Sequence, residues 1–323
     1  MILSVSRRTD IPRYYGDWFL NRMKEEYVYV RNPMNPRQIS RICLSRDVID
    51  GIVFWTKFPE SLLPRLDELE GFPYYVQFTL NGYGKELEPG LADRSRRIAV
   101  FQKLAGKIGK ERVVWRYDPI LFCGAYDAAY HVRTFGQIAA ALSGYTEQAV
   151  ISFLDFYAKT ERNLAGMGIR RPADEECILL AEKLAGIAAR YGMKIESCAE
   201  KLDLSQAGVP AGSCIDKRRL ERILGCGLNA GKDRGQREAC GCCESIDIGT
   251  YHTCPAGCRY CYANFSEEKV TRERSRYSVS APLLCGSLLP GEMVTERKTC
   301  SLKNPQMSFL EGFNGCLAQT CTL

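Results

Sequence analysis

The chain has 323 residues, 46% of them hydrophobic and 25% charged, a soluble balance with room for one large α/β domain or two small ones. No apolar run approaches the roughly 20 residues that cross a bilayer, and Arg7 and Arg8 interrupt the opening too early for a signal peptide; a cytoplasmic protein without a membrane partner is expected. The formal charge of +6 permits an anionic substrate, nucleic acid included, without requiring one, and 16 cysteines against two histidines, His131 and His252, favour metal or cluster binding over disulfides and over a His-built site.

Short β-rich runs alternate with amphipathic stretches through the first two-thirds of the chain. The expected elements are a strand over Ile2–Ser6, a helix over Tyr15–Glu26, and a hairpin of Tyr27–Arg31 with Ile39–Leu44. A strand at Gly51–Thr56 precedes a short helix carrying Leu62, Leu63 and Leu66, and a strand at Tyr74–Leu80 precedes a helix over Ala92–Ile108. Then come a strand at Val113–Tyr117, a helix at Ala128–Leu142, a strand at Ala149–Leu154, a long helix at Asp174–Tyr191 and a strand at Lys194–Cys198. Such alternation predicts a mostly parallel sheet with right-handed crossovers.

The pattern changes near Ser205. Residues 205–244 are rich in Gly, Cys and charge, with one short helix over Lys217–Leu224. A last strand is expected over residues 245–251, followed by a cysteine motif, and the chain after Asn264 becomes charged and irregular. The expected organisation is a βα-repeat body over 1–204, a Cys-rich insertion over 205–244, a final strand and cluster loop over 245–265, and a C-terminal extension over 266–323. Seven strands fit an α/β fold of the full or partial (β/α) barrel type. In a closed or nearly closed barrel the last strand lies beside the first, so residues 245–251 are expected to pair with residues 2–6. The strand ends are polar: Arg7-Arg8-Thr9-Asp10, Thr56-Lys57, Thr79 then Asn81, Arg116 then Asp118, Asp155, and Glu196-Ser197-Cys198. In such barrels the chemistry sits at those ends.

Cys254-Pro255-Ala256-Gly257-Cys258-Arg259-Tyr260-Cys261 has the spacing C-x3-C-x2-C with an aromatic residue before the last cysteine. Three thiolates reach three irons of a cubane, Gly257 allows a tight turn, and the fourth iron stays open to an exogenous ligand. This loop resembles that of the radical S-adenosylmethionine (SAM) superfamily. The resemblance implies a [4Fe–4S] cluster on Cys254, Cys258 and Cys261, SAM chelated at the open iron, Tyr260 near the adenine, a 5′-deoxyadenosyl radical, and a reductant such as flavodoxin or ferredoxin. Here the motif follows the other strands instead of preceding them, so the arrangement looks like a circularly permuted radical SAM barrel. The whole chain also resembles an uncharacterised prokaryotic family, domain of unknown function 1848. The resemblance lies in Ser4-Val5-Ser6-Arg7-Arg8-Thr9-Asp10-Ile11-Pro12, Phe54-Trp55-Thr56-Lys57, Arg116-Tyr117-Asp118-Pro119, and Glu244–Gly249 leading into Cys261-Tyr262-Ala263-Asn264. It covers roughly residues 1–300 and carries no substrate.

A second group comprises Cys198, Cys214, Cys240 and Cys242, candidates for a second [4Fe–4S] cluster or zinc, with buried unliganded thiols as the alternative. Arg7, Asp10, Arg116 and Asp118 are candidates for binding SAM or substrate, or for ion pairs across the strand ends. His252 is a candidate for tuning the cluster, His131 is expected in a helix and uninvolved, and Cys285, Cys300, Cys316 and Cys321 carry no assigned role. The leading expectation is a radical SAM-type enzyme on an unknown small-molecule or nucleic-acid substrate. The rivals are an iron–sulfur electron-transfer or redox-sensing protein and a zinc-stabilised nucleic-acid-binding protein.

Overall fold

The structure, a computed structural model, describes residues 1–304; Cys316 and Cys321 lie outside the described residues. The chain opens with β1 (Ile2–Val5), α1 (Ile11–Tyr14) and α2 (Gly16–Lys24), then the hairpin β2 (Tyr27–Arg31) and β3 (Gln38–Cys43). It continues through β4 (Gly51–Thr56), a 3₁₀ turn at Leu63–Leu69, β5 (Tyr74–Thr79), α3 (Arg94–Ile108), β6 (Val113–Ile120), β7 (Phe122–Cys123) and α4 (Ala128–Leu142). Next are β8 (Gln148–Phe153), α5 (Ala158–Asn163), β9 (Ile169–Arg170), α6 (Asp174–Arg190) and β10 (Lys194–Ser197). The insertion carries α7 (Lys217–Leu224) and β11 (Gly227–Leu228). Then follow β12 (Ile246–Asp247), α8 (Glu267–Arg274), β13 (Met293–Glu296) and β14 (Lys303–Asn304).

Seven strands form one parallel sheet in the order β10-β8-β6-β5-β4-β1-β12. β1 therefore lies between β4 and β12, and the expected pairing of the chain's two ends is present, with Leu3 opposite Ile246 and Ser4 opposite Asp247. The closing strand is shorter than expected. After Ile248 donates to Ser4 O the chain turns, and Gly249 lies so close to Ser6 that a Cβ there would sit 2.0 Å from Ser6 Oγ. Among the described residues no pairing joins β10 to β12, so the sheet is open rather than a hydrogen-bonded ring.

Alternation along the strands gives the sheet two different faces. Leu3, Val5, Ile52, Phe54, Val76, Phe78, Val113, Trp115 and Ile151 point to the helical side, where Phe19, Phe101, Phe135 and Leu184 complete the main core. Ile2, Val53, Tyr75, Val114 and Val150 point the other way and are covered by the Cys-rich insertion through Cys214, Ile215 and Leu220. Gly51 admits that cover, since a Cβ there would lie 2.5 Å from Leu220 Cδ2. Tyr75 Oη and Gln77 Nε2 donate to Cys214 O, at 2.5 and 2.8 Å.

The described part of the C-terminal extension is tied to the body rather than trailing from it. β13 pairs with β3, β14 pairs with β11, Trp18 donates to Ala281 O, and Ser301 and Leu302 donate to Asp50. β13 is largely exposed and β14 is two half-buried residues; neither has an apolar alternation of its own, and both become strands only through an edge partner. No helix among the described residues is long and apolar enough to cross a membrane.

Candidate metal centre

Asp247 fixes the approach to the cysteine loop. Its carboxylate accepts from Ser4 Oγ (2.9 Å), Ser6 Oγ (2.6 Å), Arg7 N (2.9 Å) and Gly249 N (2.9 Å), which locks the end of β12 to the end of β1. The loop then crosses the C-terminal ends of the strands. Gly257 turns it at φ +67°, Arg259 N donates to Leu87 O, and Gly90 N donates to Ala256 O at 3.1 Å. Ala256, Cys258 and Tyr260 bury against Tyr83, Leu87, Leu91, Leu121 and Leu164, all from loops that follow the parallel strands.

Cys258 is buried, whereas Cys254 and Cys261 are partly buried. Each thiol meets groups that favour an anionic sulfur. The backbone N–H groups of Ala256 and Asp10 face Cys254, Lys57 faces Cys258, and Ala263 N donates to Cys261 Sγ at 3.4 Å. Burial is the larger effect on the free thiols. It pushes Cys254 up to about 12 and Cys258 higher still, so without metal both are protonated at neutral pH.

Below Cys258 lies a buried ionic network. Lys57 Nζ contacts Glu88 Oε1 at 2.9 Å and Tyr260 Oη at 2.7 Å, and Arg97 Nη1 reaches Glu88 Oε2 at 3.2 Å. Tyr260 Oη donates to Glu88, and Asn81 Nδ2 reaches Tyr260 Oη at 3.3 Å. Burial alone would raise the Glu88 carboxyl, but Lys57 and Arg97 outweigh it and hold the pKa below its ordinary value. Burial likewise opposes charge on Lys57, and Glu88 and Cys258 outweigh it, so its pKa is raised. Two cations around one carboxylate leave one excess positive charge against Cys258, the sign that an anionic thiolate–iron centre requires. Tyr260 is used in this network. Its ring is 7% exposed and packs edge-on against Tyr83, so the side chain expected beside an adenine is turned inward and anchors the loop.

The second cysteine group also converges. Cys198 follows β10, and its Sγ lies 2.8 Å from Cys214 Sγ. Cys242 Sγ accepts from Ile215 N at 3.3 Å, and Cys214, Cys240 and Cys242 are buried in one cluster against which Cys198 packs. Arg116 Nη1 donates to Cys214 Sγ at 2.5 Å, and its Nε donates to Asp118 Oδ2 at 3.0 Å. Arg7 faces Cys242, Cys214 and Cys240; burial opposes its charge, and those sulfurs outweigh burial and raise its pKa. Both guanidinium groups lie over Trp55, at 5.4 and 5.2 Å from the ring centroid. Among the described residues no group of three or more Cys, His, Asp or Glu side chains is arranged so that it could hold a metal ion.

The sequence of residues 2–263 matches the model of a family described as a domain of unknown function, DUF1848. The chain belongs to this family. The family span ends two residues beyond Cys261 and therefore takes in both cysteine groups. No curated protein matches. Among solved structures, one assigned as an alpha-L-fucosidase from Bacteroides thetaiotaomicron VPI-5482 is 14% identical, covers 56% of this chain and 73% of that chain, and superposes with a TM-score of 0.23. A likeness at that level carries no argument about fold or function.

In this DUF1848 chain the four polar candidates divide. Arg7 and Arg116 serve the second cysteine group, and Asp118 holds Arg116 while accepting from Ser152. Asp10 lies at the first group through its backbone; its carboxylate caps α1 by accepting from Arg13 N and also accepts from Lys57 N. His252 Nδ1 accepts from Phe265 N at 2.9 Å, which ties down the end of the loop. His131 sits in α4, enclosed between Tyr117 Oη and Leu121 O. Glu88 and Arg97 were not legible as site residues. They lie in a loop and on a helix with no spacing that marks them, and only the fold brings them under Cys258.

Proposed function

We propose that this chain is an iron–sulfur enzyme of the radical SAM type, with a [4Fe–4S] cluster held by Cys254, Cys258 and Cys261 at the C-terminal edge of a sheet that acts as the wall of a partial, circularly permuted barrel. The observation that carries the proposal is the placement of this loop. Three thiols in C-x3-C-x2-C spacing follow the strand beside β1, backed by the positively charged Lys57–Glu88–Arg97 network. When bound, the cluster and SAM would supply one-electron cleavage of a sulfonium C–S bond and a 5′-deoxyadenosyl radical.

The chain's own residues prepare the site. The N–H groups facing Cys254 and Cys261 and the ammonium of Lys57 stabilise anionic sulfur, while the apolar shell of Tyr83, Leu87, Leu121 and Leu164 excludes water. A flavodoxin or ferredoxin would be a suitable reductant. The substrate is taken as unassigned, either a small molecule or a nucleic acid.

Anaerobically reconstituted protein, reduced with dithionite, is expected to convert SAM to 5′-deoxyadenosine, and the Cys258→Ala variant is expected to make none. A fully loaded cluster that never cleaves SAM would overturn the enzyme reading in favour of an electron-transfer or redox-sensing protein.

A further inference from the structure

We infer that Cys198, Cys214, Cys240 and Cys242 form a separate structural zinc site, which fastens the Cys-rich insertion to the end of β10 across the inner face of the sheet. The inference is independent of the reaction proposed for the first cysteine group.

The four thiols come from three stretches of sequence: Cys198 Sγ lies 2.8 Å from Cys214 Sγ, Cys242 Sγ accepts from Ile215 N at 3.3 Å, and Cys214, Cys240 and Cys242 are buried in one cluster against which Cys198 packs. Tetrahedral zinc with bonds of about 2.3 Å sets neighbouring sulfurs about 3.8 Å apart, close to sulfur contact distance. A cubane puts each thiolate on a different iron and needs a wider spread. The separation of 2.8 Å between Cys198 and Cys214 is tighter than zinc requires, so metal binding opens this pair and draws the four sulfurs around one ion. Bound as thiolates, the four sulfurs would make a tetrathiolate zinc centre of charge −2.

The surroundings suit that charge. Arg116 is 4% exposed and donates directly to Cys214 Sγ, and Arg7 faces three of the four sulfurs with one buried guanidinium nitrogen unpartnered. Asp118 and Asp233 share these arginines, the latter at 4.0 Å, so the compensation is partial. The location explains why a metal is useful. The insertion covers the sheet with one two-turn helix, a two-residue strand and irregular chain, and short elements of that kind need a staple to stay folded.

The test is metal analysis of the full chain purified without oxygen. About one zinc per chain is expected, surviving in Cys258→Ala and in Cys43→Ser, and falling to less than about a tenth in Cys214→Ser. Titrating zinc-free wild-type protein with cobalt(II) should give the intense visible absorption of a tetrahedral thiolate site, which Cys258→Ala retains. This readout does not depend on whether Cys214→Ser folds. Zinc-free protein that gives no such cobalt spectrum overturns the inference. So does a second cluster's worth of iron that Cys214→Ser loses and Cys258→Ala keeps. Loss of iron in Cys258→Ala with zinc retained separates the two sites.

Discussion

His131 illustrates how burial decides the behaviour of one titratable group. The ring is fully enclosed in α4, with Nδ1 at 2.8 Å from Tyr117 Oη and Nε2 at 2.8 Å from Leu121 O. Burial lowers its pKa from 6.5 to about 4, so the folded protein keeps it neutral. A base whose pKa is lowered by folding contributes stability above its unfolded pKa, and that stability disappears as pH falls through the folded one. The window here runs from about pH 6.5 down to 4, and the shift corresponds to roughly 3 kcal/mol across it. Urea unfolding of wild-type and His131→Gln protein across this range should show the steeper acid loss in wild type. Equal slopes would mean that His131 does not titrate with folding. Asp247 makes the complementary point, since four donors converge on a single carboxylate and it joins residues separated by more than two hundred positions in sequence.

At the scale of elements, the loop that carries Cys254, Cys258 and Cys261 is held by a close approach of backbones. A Cβ on Gly90 would lie 2.6 Å from Ala256 O and 3.0 Å from Ala256 C, and the neighbours it meets belong to backbone rather than to a flexible side chain. Gly90→Ala must therefore displace the loop between Cys254 and Cys258 or the turn after Glu88. The expected result is a loss of at least about half of the bound iron with little change in global stability, because Gly90 is exposed and outside the main core. Iron per chain and a urea midpoint, measured on the same preparation, check both parts; undiminished iron would show that this contact does not position the loop. The insertion behaves differently as an element. Its helix α7 presents Leu220 to Gly51, and Cys214, Ile215, Leu228, Cys240, Cys242 and Cys243 are buried in the same cluster on that face of the sheet.

Across the whole molecule, the parallel sheet was legible because its strands carry continuous Val, Ile and Phe runs at regular intervals between amphipathic helices. The pairing of β12 with β1 followed from treating the seventh strand as a neighbour of the first. It was found at only two register positions, because Asp247 and Gly249 bend the chain away. Among the described residues the sheet does not close into a complete ring. The 3₁₀ turn at Leu63–Leu69 and the β7–β9 and β13–β3 ladders escaped the sequence, since short edge elements take their conformation from a partner. The C-x3-C-x2-C motif was visible as spacing, whereas Cys198, Cys214, Cys240 and Cys242 were one choice among several cysteines, of which the fold brings Cys198 and Cys214 into contact. The arginines' allegiance to that set, the inward turn of Tyr260 and the network under Cys258 were not, because each depends on which strand ends the fold makes adjacent.

The central claim concerns Cys254, Cys258 and Cys261, and anaerobic reconstitution with iron and sulfide followed by iron counting tests it most directly. Wild-type protein is expected to hold about four irons per chain with broad absorption near ~400 nm and a paramagnetic signal on reduction, all of which Cys258→Ala loses. A colourless wild-type protein that takes up no iron, or a Cys258→Ala variant that keeps the full complement, would contradict the account.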